Sequence, residues 1–159
     1  MGMHHEIGDL LESDCDYICH QVNCQGKMNS GIAKSIREKW PVVYINYRTK
    51  YFNTFPKLLL GDIQIVGLGE DSHQSVINMF SQEYYGYDGQ RYTSYDAFWN
   101  CLHLIKNTVP KGSTIGFPGF IGCVRGGANW EVIYEMIDQV LSEDFEVYIY
   151  FLEEDETHG

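Results

Sequence analysis

Two glycine-bearing loops in this sequence have the residue types that hold phosphate groups. The first loop, residues 23–30, follows an apolar run at 17–22 and precedes a helical pattern that begins at Gly31. The second loop, residues 118–128, precedes a helix for which Asn129 is a suitable N-cap. The first amides of a helix lack intrahelical partners, and glycines let the backbone approach an anion closely. Either loop alone is also compatible with an ordinary strand–helix turn.

The two loops together indicate a phosphate site more strongly than each does alone. Both leave the carboxyl ends of predicted strands, which is where ligands bind in open α/β sheets. If the loops face one another, their main-chain amides suit a diphosphate held between them. Arg125 and Lys27 are nearby cations that could assist, although such residues in loops are usually only solvated.

Extended and helical patterns alternate along most of the chain, which predicts an α/β protein with a largely parallel or mixed sheet. An edge strand is expected near the start, ending in a turn at Gly8-Asp9. A loop is predicted at 53–57, an exposed tyrosine-rich lid at 83–92, and a frayed acidic tail at 153–159. Strands are predicted at 17–22, 63–66, 75–82, 113–117 and 145–152, and helices at 31 to about 40, 41 to about 51, from 94 and from 129.

The composition of the chain indicates its size class and limits the partners that it can bind. A chain of 159 residues with 44% hydrophobic residues forms one domain with a sizeable core. The formal charge of −11 repels nucleic acid backbones and anionic membranes, so we expect neither as a direct partner. Five cysteines without CxxC spacing indicate reduced thiols in the cytoplasm, and no clustered His or carboxylate spacing suggests a metal. No signal peptide, membrane span or cofactor is predicted.

Several motifs, in their order and spacing, resemble the macro domain, the ADP-ribose-binding module. They are Gly8-Asp9-Leu10, the strand ICHQVN, the loop MNSGIA at 28–33, and IGC at 121–123 followed by Trp130-Glu131. SVINMFSQ and TSYDAFWNCL are similar to the central strand and following helix of the branch containing terminal ADP-ribose glycohydrolases and ADP-ribose-1''-phosphate phosphatases. The resemblance covers most of the chain.

The resemblance implies a three-layer α/β/α sandwich with a mixed, mostly parallel central sheet, forming a single macro domain over residues 1–159. It implies that Asp9 accepts from the adenine amino group and that Asn23 positions the distal ribose. Read without the resemblance, Asp9 is a turn residue and Asn23 an Asx turn. The ADP-ribose-binding residues implied are Asp9, Leu10, Met28, Asn29, Ser30, Gly31, Ile32, Ala33, Phe120, Ile121, Gly122, Cys123, Val124, Arg125, Gly126, Gly127, Tyr150 and Phe151.

His20 is the second residue, with Asn23, to which the resemblance assigns catalysis. The phosphatase branch carries a histidine at this place, where a pKa near neutrality suits acid–base or nucleophilic chemistry at phosphorus. The alternative is a strand-end histidine that is hydrogen-bonded for structure. Asp71 and His73 are candidate partners for it, and Cys123 is a less favoured nucleophile because free cysteine is commonly buried.

The resemblance therefore implies a protein that binds ADP-ribose and hydrolyses ADP-ribose 1''-phosphate to ADP-ribose and phosphate. The alternatives are a non-catalytic reader of ADP-ribose or ADP-ribosylated proteins, and a hydrolase that removes ADP-ribose from proteins. The third is disfavoured because Gly126 stands where the glycohydrolase branch has an aspartate, and residues 80–92 contain no lysine.

Overall fold

Six strands form one mixed sheet at the centre of the computed structural model, which describes residues 1–86 and 88–153. In chain order the strands are β1 (Gly2–Ile7), β2 (Tyr17–Asn23), β3 (Ile63–Gly67), β4 (Ser75–Gln82), β5 (Thr114–Pro118) and β6 (Glu146–Phe151). Their spatial order is β1-β6-β5-β2-β4-β3. Every neighbouring pair is parallel except β3 with β4, so the sheet is mixed and mostly parallel.

Five helices cover the two faces of this sheet. They are α1 (Gly31–Lys39), α2 (Pro41–Phe52), α3 (Pro56–Leu59), α4 (Tyr95–Thr108) and α5 (Trp130–Leu141), and a short 3-10 helix spans Leu10–Glu12. Successive side chains of a strand lie on opposite faces of the sheet, so a single strand contributes residues to both cores. On β2, Ile18 and Val22 join the core under α1 and α2, whereas Cys19 joins the core under α4 and α5. The result is the three-layer α/β/α arrangement that the resemblance implied.

The strand and helix predictions are confirmed with shifts of one or two residues at their ends. Pro41 begins α2 and Asn129 caps α5, as predicted, and Ser94, which was predicted only as the start of a helix, caps α4. The predicted loop at 53–57 is wrong in part, because α3 begins at Pro56. Residues 154–159 of the predicted tail, and Tyr87 in the predicted lid, lie outside the described residues.

The topology brings the carboxyl ends of five strands to one edge of the sheet. β1, β6, β5, β2 and β4 are parallel, so the loops that follow them meet at this edge. All five cysteines are free thiols, and four of them are buried. None of the described helices combines the length and the hydropathy that a membrane span needs.

Candidate functional site

A cavity of about 670 Å³ lies at the edge where the parallel strands end. Its walls come from the turn after β1, the ends of β2 and β4, the loops that follow β2 and β5, the N-terminus of α1 and the end of β6. Both glycine-bearing loops contribute, and a Cβ built on Gly31 would lie 3.4 Å from Arg125 Nη1. The two loops predicted to face one another therefore share one cavity.

The N-terminus of α1 forms part of the wall of this cavity. Ser30, Gly31, Ile32 and Ala33 all line it. The side chain of Ser30 makes no capping hydrogen bond, and the first turn holds no acidic residue. The first amides of a helix have no intrahelical acceptor and lie at the positive end of the helix dipole. This end of α1 is therefore able to bind an anion.

The second loop lines the cavity without a free helix N-terminus. The N-terminus of α5 is capped, because Asn129 Oδ1 accepts from the amides of Glu131 and Val132. The cavity is lined instead by the turn between β5 and α5, including Gly119, Gly122 and Gly126. The sequence predicted a second loop followed by a helix N-terminus. In the structure only the loop faces the cavity.

Thr93 holds the second loop in place through hydrogen bonds. Its hydroxyl donates to the carbonyl of Gly122 at 2.8 Å and accepts from Gln21 Nε2 at 2.8 Å. The amides of Tyr92 and Thr93 both donate to the carbonyl of Gly126, at 2.7 and 3.0 Å. Two carbonyls of the loop are thus turned towards the segment before α4. We refer to these bonds among Gln21, Tyr92, Thr93, Gly122 and Gly126 as the loop clamp.

The clamp explains why residue 126 is glycine. A Cβ at this position would collide with the Thr93 hydroxyl and with the Gly122 carbonyl, and it would lie 3.0 Å from Gln21 Nε2. The Thr93 hydroxyl therefore occupies the space into which a side chain of residue 126 would project. An aspartate at this position, as in the glycohydrolase branch, does not fit the clamp.

Asn23 lines the cavity, but its carboxamide is committed to the first loop. Oδ1 accepts from the amides of Gln25 at 3.0 Å and Lys27 at 3.4 Å, and Nδ2 donates to the Lys27 carbonyl at 3.0 Å. The hydroxyl of Tyr47 lies 2.7 Å from both the carbonyl oxygen and Oδ1 of Asn23. The Asx turn named as the alternative to ligand binding is therefore present, and this side chain shapes the loop.

The opposite end of the cavity is formed by Asp9, Leu10, Phe120, Tyr150 and Leu152. Asp9 Oδ1 accepts from the amide of Leu11 at 2.9 Å, so Asp9 is a turn residue that also faces the cavity.

Phe120 sits above a buried aromatic support. It has a φ of 62°, an uncommon conformation for a residue with a Cβ. Its ring lies 5.5 Å from that of Phe151, which is buried beneath it and does not line the cavity. Phe151 therefore acts on the cavity through its packing against Phe120, where direct contact with the ligand was expected.

The structure corrects the expectations for His20. Its side chain is fully buried and does not line the cavity. Nε2 lies 2.5 Å from Asn78 Oδ1, which can only accept, so Nε2 carries the proton and Nδ1 has no partner in the described residues. Burial lowers the pKa of His20 to about 4, the bond to Asn78 opposing this change. The ring is neutral at pH 7 and held inside the sheet, the structural alternative stated above.

Three other predicted residues also lie outside the cavity wall: Met28, Cys123 and Gly127. Met28 is fully buried in the core under α1 and α2. Burial raises the pKa of Cys123 to about 11, so its thiol is protonated at neutral pH and is not an activated nucleophile. The remaining predicted residues form the wall together: Asp9, Leu10, Asn23, Asn29, Ser30, Gly31, Ile32, Ala33, Phe120, Ile121, Gly122, Val124, Arg125, Gly126 and Tyr150.

Several lining residues were missed by sequence reasoning. Gln21 lies two positions before Asn23 and lines the cavity as well, although the register of β2 shifts between Val22 and Asn23. Gln82 ends β4 and accepts from Gln21 Nε2 at 2.7 Å. Tyr85 and Gly86, in the predicted lid, line the cavity as well. Across residues 1–86 and 88–153, no cluster of His, Cys, Asp or Glu is suited to hold a metal ion.

Several solved structures are similar to this fold, in which a mostly parallel sheet lies between two helical layers. A protein of unknown function from Bacteroides thetaiotaomicron is 26% identical with a TM-score of 0.82, over 96% of this chain and 99% of its own. The macrodomain of Mycobacterium tuberculosis DarG is 20% identical with a TM-score of 0.74, over 93% and 96% of the two chains. Thermosipho africanus DarTG in complex with ADP-ribose is 19% identical with a TM-score of 0.77.

The chain has the macrodomain fold. It covers 42% of the length of the Thermosipho africanus protein, and that match covers 95% of this chain. No protein-family model matches the sequence, and no curated protein sequence matches it. The fold thus rests on the structural comparison, since the recorded identities are low.

Proposed function

We propose that this protein binds ADP-ribose, with the diphosphate held between the N-terminus of α1 and the second loop. The observation that carries the proposal is that both amide-bearing segments line one cavity, with Gly31 next to Arg125. The positive end of α1 and a set of main-chain donors suit two linked phosphates. The complex of the similarly folded Thermosipho africanus protein with ADP-ribose supports the same ligand.

The size and lining of the cavity fit a nucleotide sugar. A volume of about 670 Å³ lies within the range of roughly 300–1,000 Å³ that is usual for small-molecule sites. In the proposed orientation the adenosine lies towards Asp9, Phe120 and Tyr150. The distal ribose lies towards Asn23 and Lys27, at the end of β2.

Main-chain donors allow an acidic protein to bind an anionic ligand. The formal charge is −11, so the protein as a whole repels a diphosphate. Amide groups and a helix N-terminus supply positive potential without changing that net charge. Lys27 and Arg125, which also line the cavity, add local cations.

Calorimetric titration tests the proposal. We expect ADP-ribose to bind with a Kd near the micromolar range, about −8 kcal/mol. AMP, which lacks the second phosphate and the distal ribose, should bind at least tenfold more weakly, and ADP should lie between the two. If ADP-ribose produced no binding heat at 100-fold the expected Kd, this function would be excluded.

Hydrolysis of ADP-ribose 1''-phosphate is a second candidate, favoured by the sequence resemblance and by Lys27 at the end proposed for the distal ribose. Its ammonium group would attract the additional phosphate and stabilise charge on the departing oxygen. In a phosphate-release assay, Lys27→Met should lower the rate at least tenfold, whereas His20→Gln should retain it. Equal rates with and without protein would leave binding as the only function proposed.

The free thiols fit a reducing compartment, so we place this activity in the cytoplasm. Removal of ADP-ribose from proteins is not proposed as the main activity, because the clamp leaves no space for a carboxylate at Gly126.

A further inference from the structure

A second groove, of about 720 Å³, lies next to the cavity and is not used by the proposed binding of ADP-ribose. We call it the side groove. It runs between the first loop with α2 and α3 on one side and residues 83–85 on the other. Its walls include Lys27, Tyr51, Phe55, Lys57, Tyr84 and Tyr85.

The side groove is continuous with the cavity. Lys27 and Tyr85 line both of them. They lie at the end of the cavity near Asn23, whereas Asp9 and Tyr150 form the other end. If the proposed orientation of ADP-ribose holds, the side groove begins where the distal ribose ends. It is therefore placed to receive whatever is attached to that ribose.

The side groove is lined by exposed aromatic rings. Phe55 is 76% exposed, Tyr84 57% and Tyr85 43%. Exposed apolar side chains that cluster around a groove commonly mark a binding surface. Aromatic rings are also the side chains that contribute most to protein interfaces.

The charges favour a polypeptide over a nucleic acid as the occupant. Lys27 and Lys57 line the groove, and Glu83 is the one carboxylate among the described residues of its wall. Two lysines complement one or two acidic side chains. A polynucleotide would bring one negative charge per nucleotide towards a protein with a formal charge of −11. The aromatic walls and the two lysines thus match a peptide with apolar and acidic residues.

We propose that the side groove binds the polypeptide flanking an ADP-ribosylated side chain, with a preference for apolar and acidic flanking residues. This inference rests on the proposed function of the cavity. The attached ADP-ribose fills the cavity, and the flanking residues pack against Phe55 and Tyr84. The groove then selects among modified proteins, which the cavity alone does not do.

The test compares four probes by calorimetry: free ADP-ribose, two ten-residue peptides that carry ADP-ribose on a central serine, and an ADP-ribosylated single-stranded oligonucleotide. One peptide has Phe and Glu beside the serine, and the other has only Gly and Ser. We expect the Phe/Glu peptide to bind at least tenfold more tightly than free ADP-ribose, and the Gly/Ser peptide to bind like free ADP-ribose.

Variants separate the groove from the cavity. Phe55→Ala combined with Tyr84→Ala should abolish the tenfold gain of the Phe/Glu peptide and leave the affinity for free ADP-ribose within twofold. Ile45→Ala is the control, since Ile45 is 61% exposed on α2 and does not line the groove. It should change neither affinity.

Each of the following outcomes would refute the proposal for the side groove. Equal affinities for the two peptides, or a gain that survives the double substitution, would overturn the proposal for the groove while leaving the cavity intact. No binding of any probe would remove the function of the cavity and this inference with it. Tighter binding of an ADP-ribosylated single-stranded oligonucleotide than of the Phe/Glu peptide would assign the groove to nucleic acid and refute the peptide.

Discussion

Replacing Thr93 with valine tests whether the loop clamp prepares the second loop for its ligand. Thr93 is 2% exposed, and valine has nearly the same shape as threonine. The substitution removes the hydroxyl that donates to the Gly122 carbonyl and accepts from Gln21 Nε2. The main-chain bonds from residues 92 and 93 to Gly126 remain, so the loop is loosened at one end only.

The magnitude follows from the hydrogen bonds that the substitution removes. Two hydrogen bonds of the Thr93 hydroxyl are lost, each worth about 0.5–1.5 kcal/mol net, whereas the Gly122 carbonyl keeps the Ala128 amide as a donor at 3.0 Å. Gln21 Nε2 keeps its bond to Gln82 Oε1, so its loss is smaller. We therefore expect a loss of about 1–2 kcal/mol in ADP-ribose binding, which is a weakening of roughly 5- to 30-fold.

The assay pairs calorimetry with thermal unfolding, and Thr93→Ser is the matched control. Serine keeps the hydroxyl and should retain affinity within about threefold. Thr93→Val should weaken ADP-ribose more than adenosine, because adenosine has no diphosphate to contact the loop. The reasoning would be refuted if valine and serine bound ADP-ribose equally well, or if valine weakened both ligands by the same factor.

Three further predictions concern the cavity and the sheet. Gly126→Ala should weaken ADP-ribose binding at least tenfold, because its Cβ collides with the Thr93 hydroxyl, and unchanged calorimetric affinity would contradict this. Tyr47→Phe should lower the free energy of unfolding by about 1–2 kcal/mol in urea, since the Asn23 carbonyl loses its donor, and an unaltered urea midpoint would count against it. His20 has its pKa lowered from 6.5 to about 4, so the stability linked to its neutral form is fully present above pH 6.5, and this contribution of about 3 kcal/mol is lost as the pH falls from 6.5 through 4. Urea unfolding between pH 7.5 and 4 should therefore be less pH-dependent for His20→Gln than for the wild type, and parallel curves would exclude the buried neutral ring.

Periodicity and local end signals were sufficient for most of the fold. Pro41, Ser94 and Asn129 act through neighbouring backbone groups, so their effects are visible in a short stretch of sequence. The helix at Pro56 was missed because it has four residues, too few for an amphipathic period. The mixed, mostly parallel sheet was implied by the resemblance, whereas the order of its strands was not predicted, since spacing alone does not specify a sheet order.

Loops at the site were predictable from their glycines, whereas side-chain roles were not. The main-chain amides of the first loop follow from a strand–loop–helix sequence, and residues 30–33 do line the cavity. His20 was misplaced because strand alternation turns it away from the cavity, towards Asn78 on β4. The role of Thr93 depends on contacts to Gln21 and Gly122, more than 25 residues away along the chain. No local pattern reports such contacts.

A crystal structure with ADP-ribose bound tests the central claim most directly. We predict that oxygens of the diphosphate lie about 2.7–3.2 Å from main-chain amides in the first turn of α1 and in the turn between Gly119 and Gly126. The contrary result would be a diphosphate contacted only by the side chains of Lys27 and Arg125, with no amide within hydrogen-bonding distance.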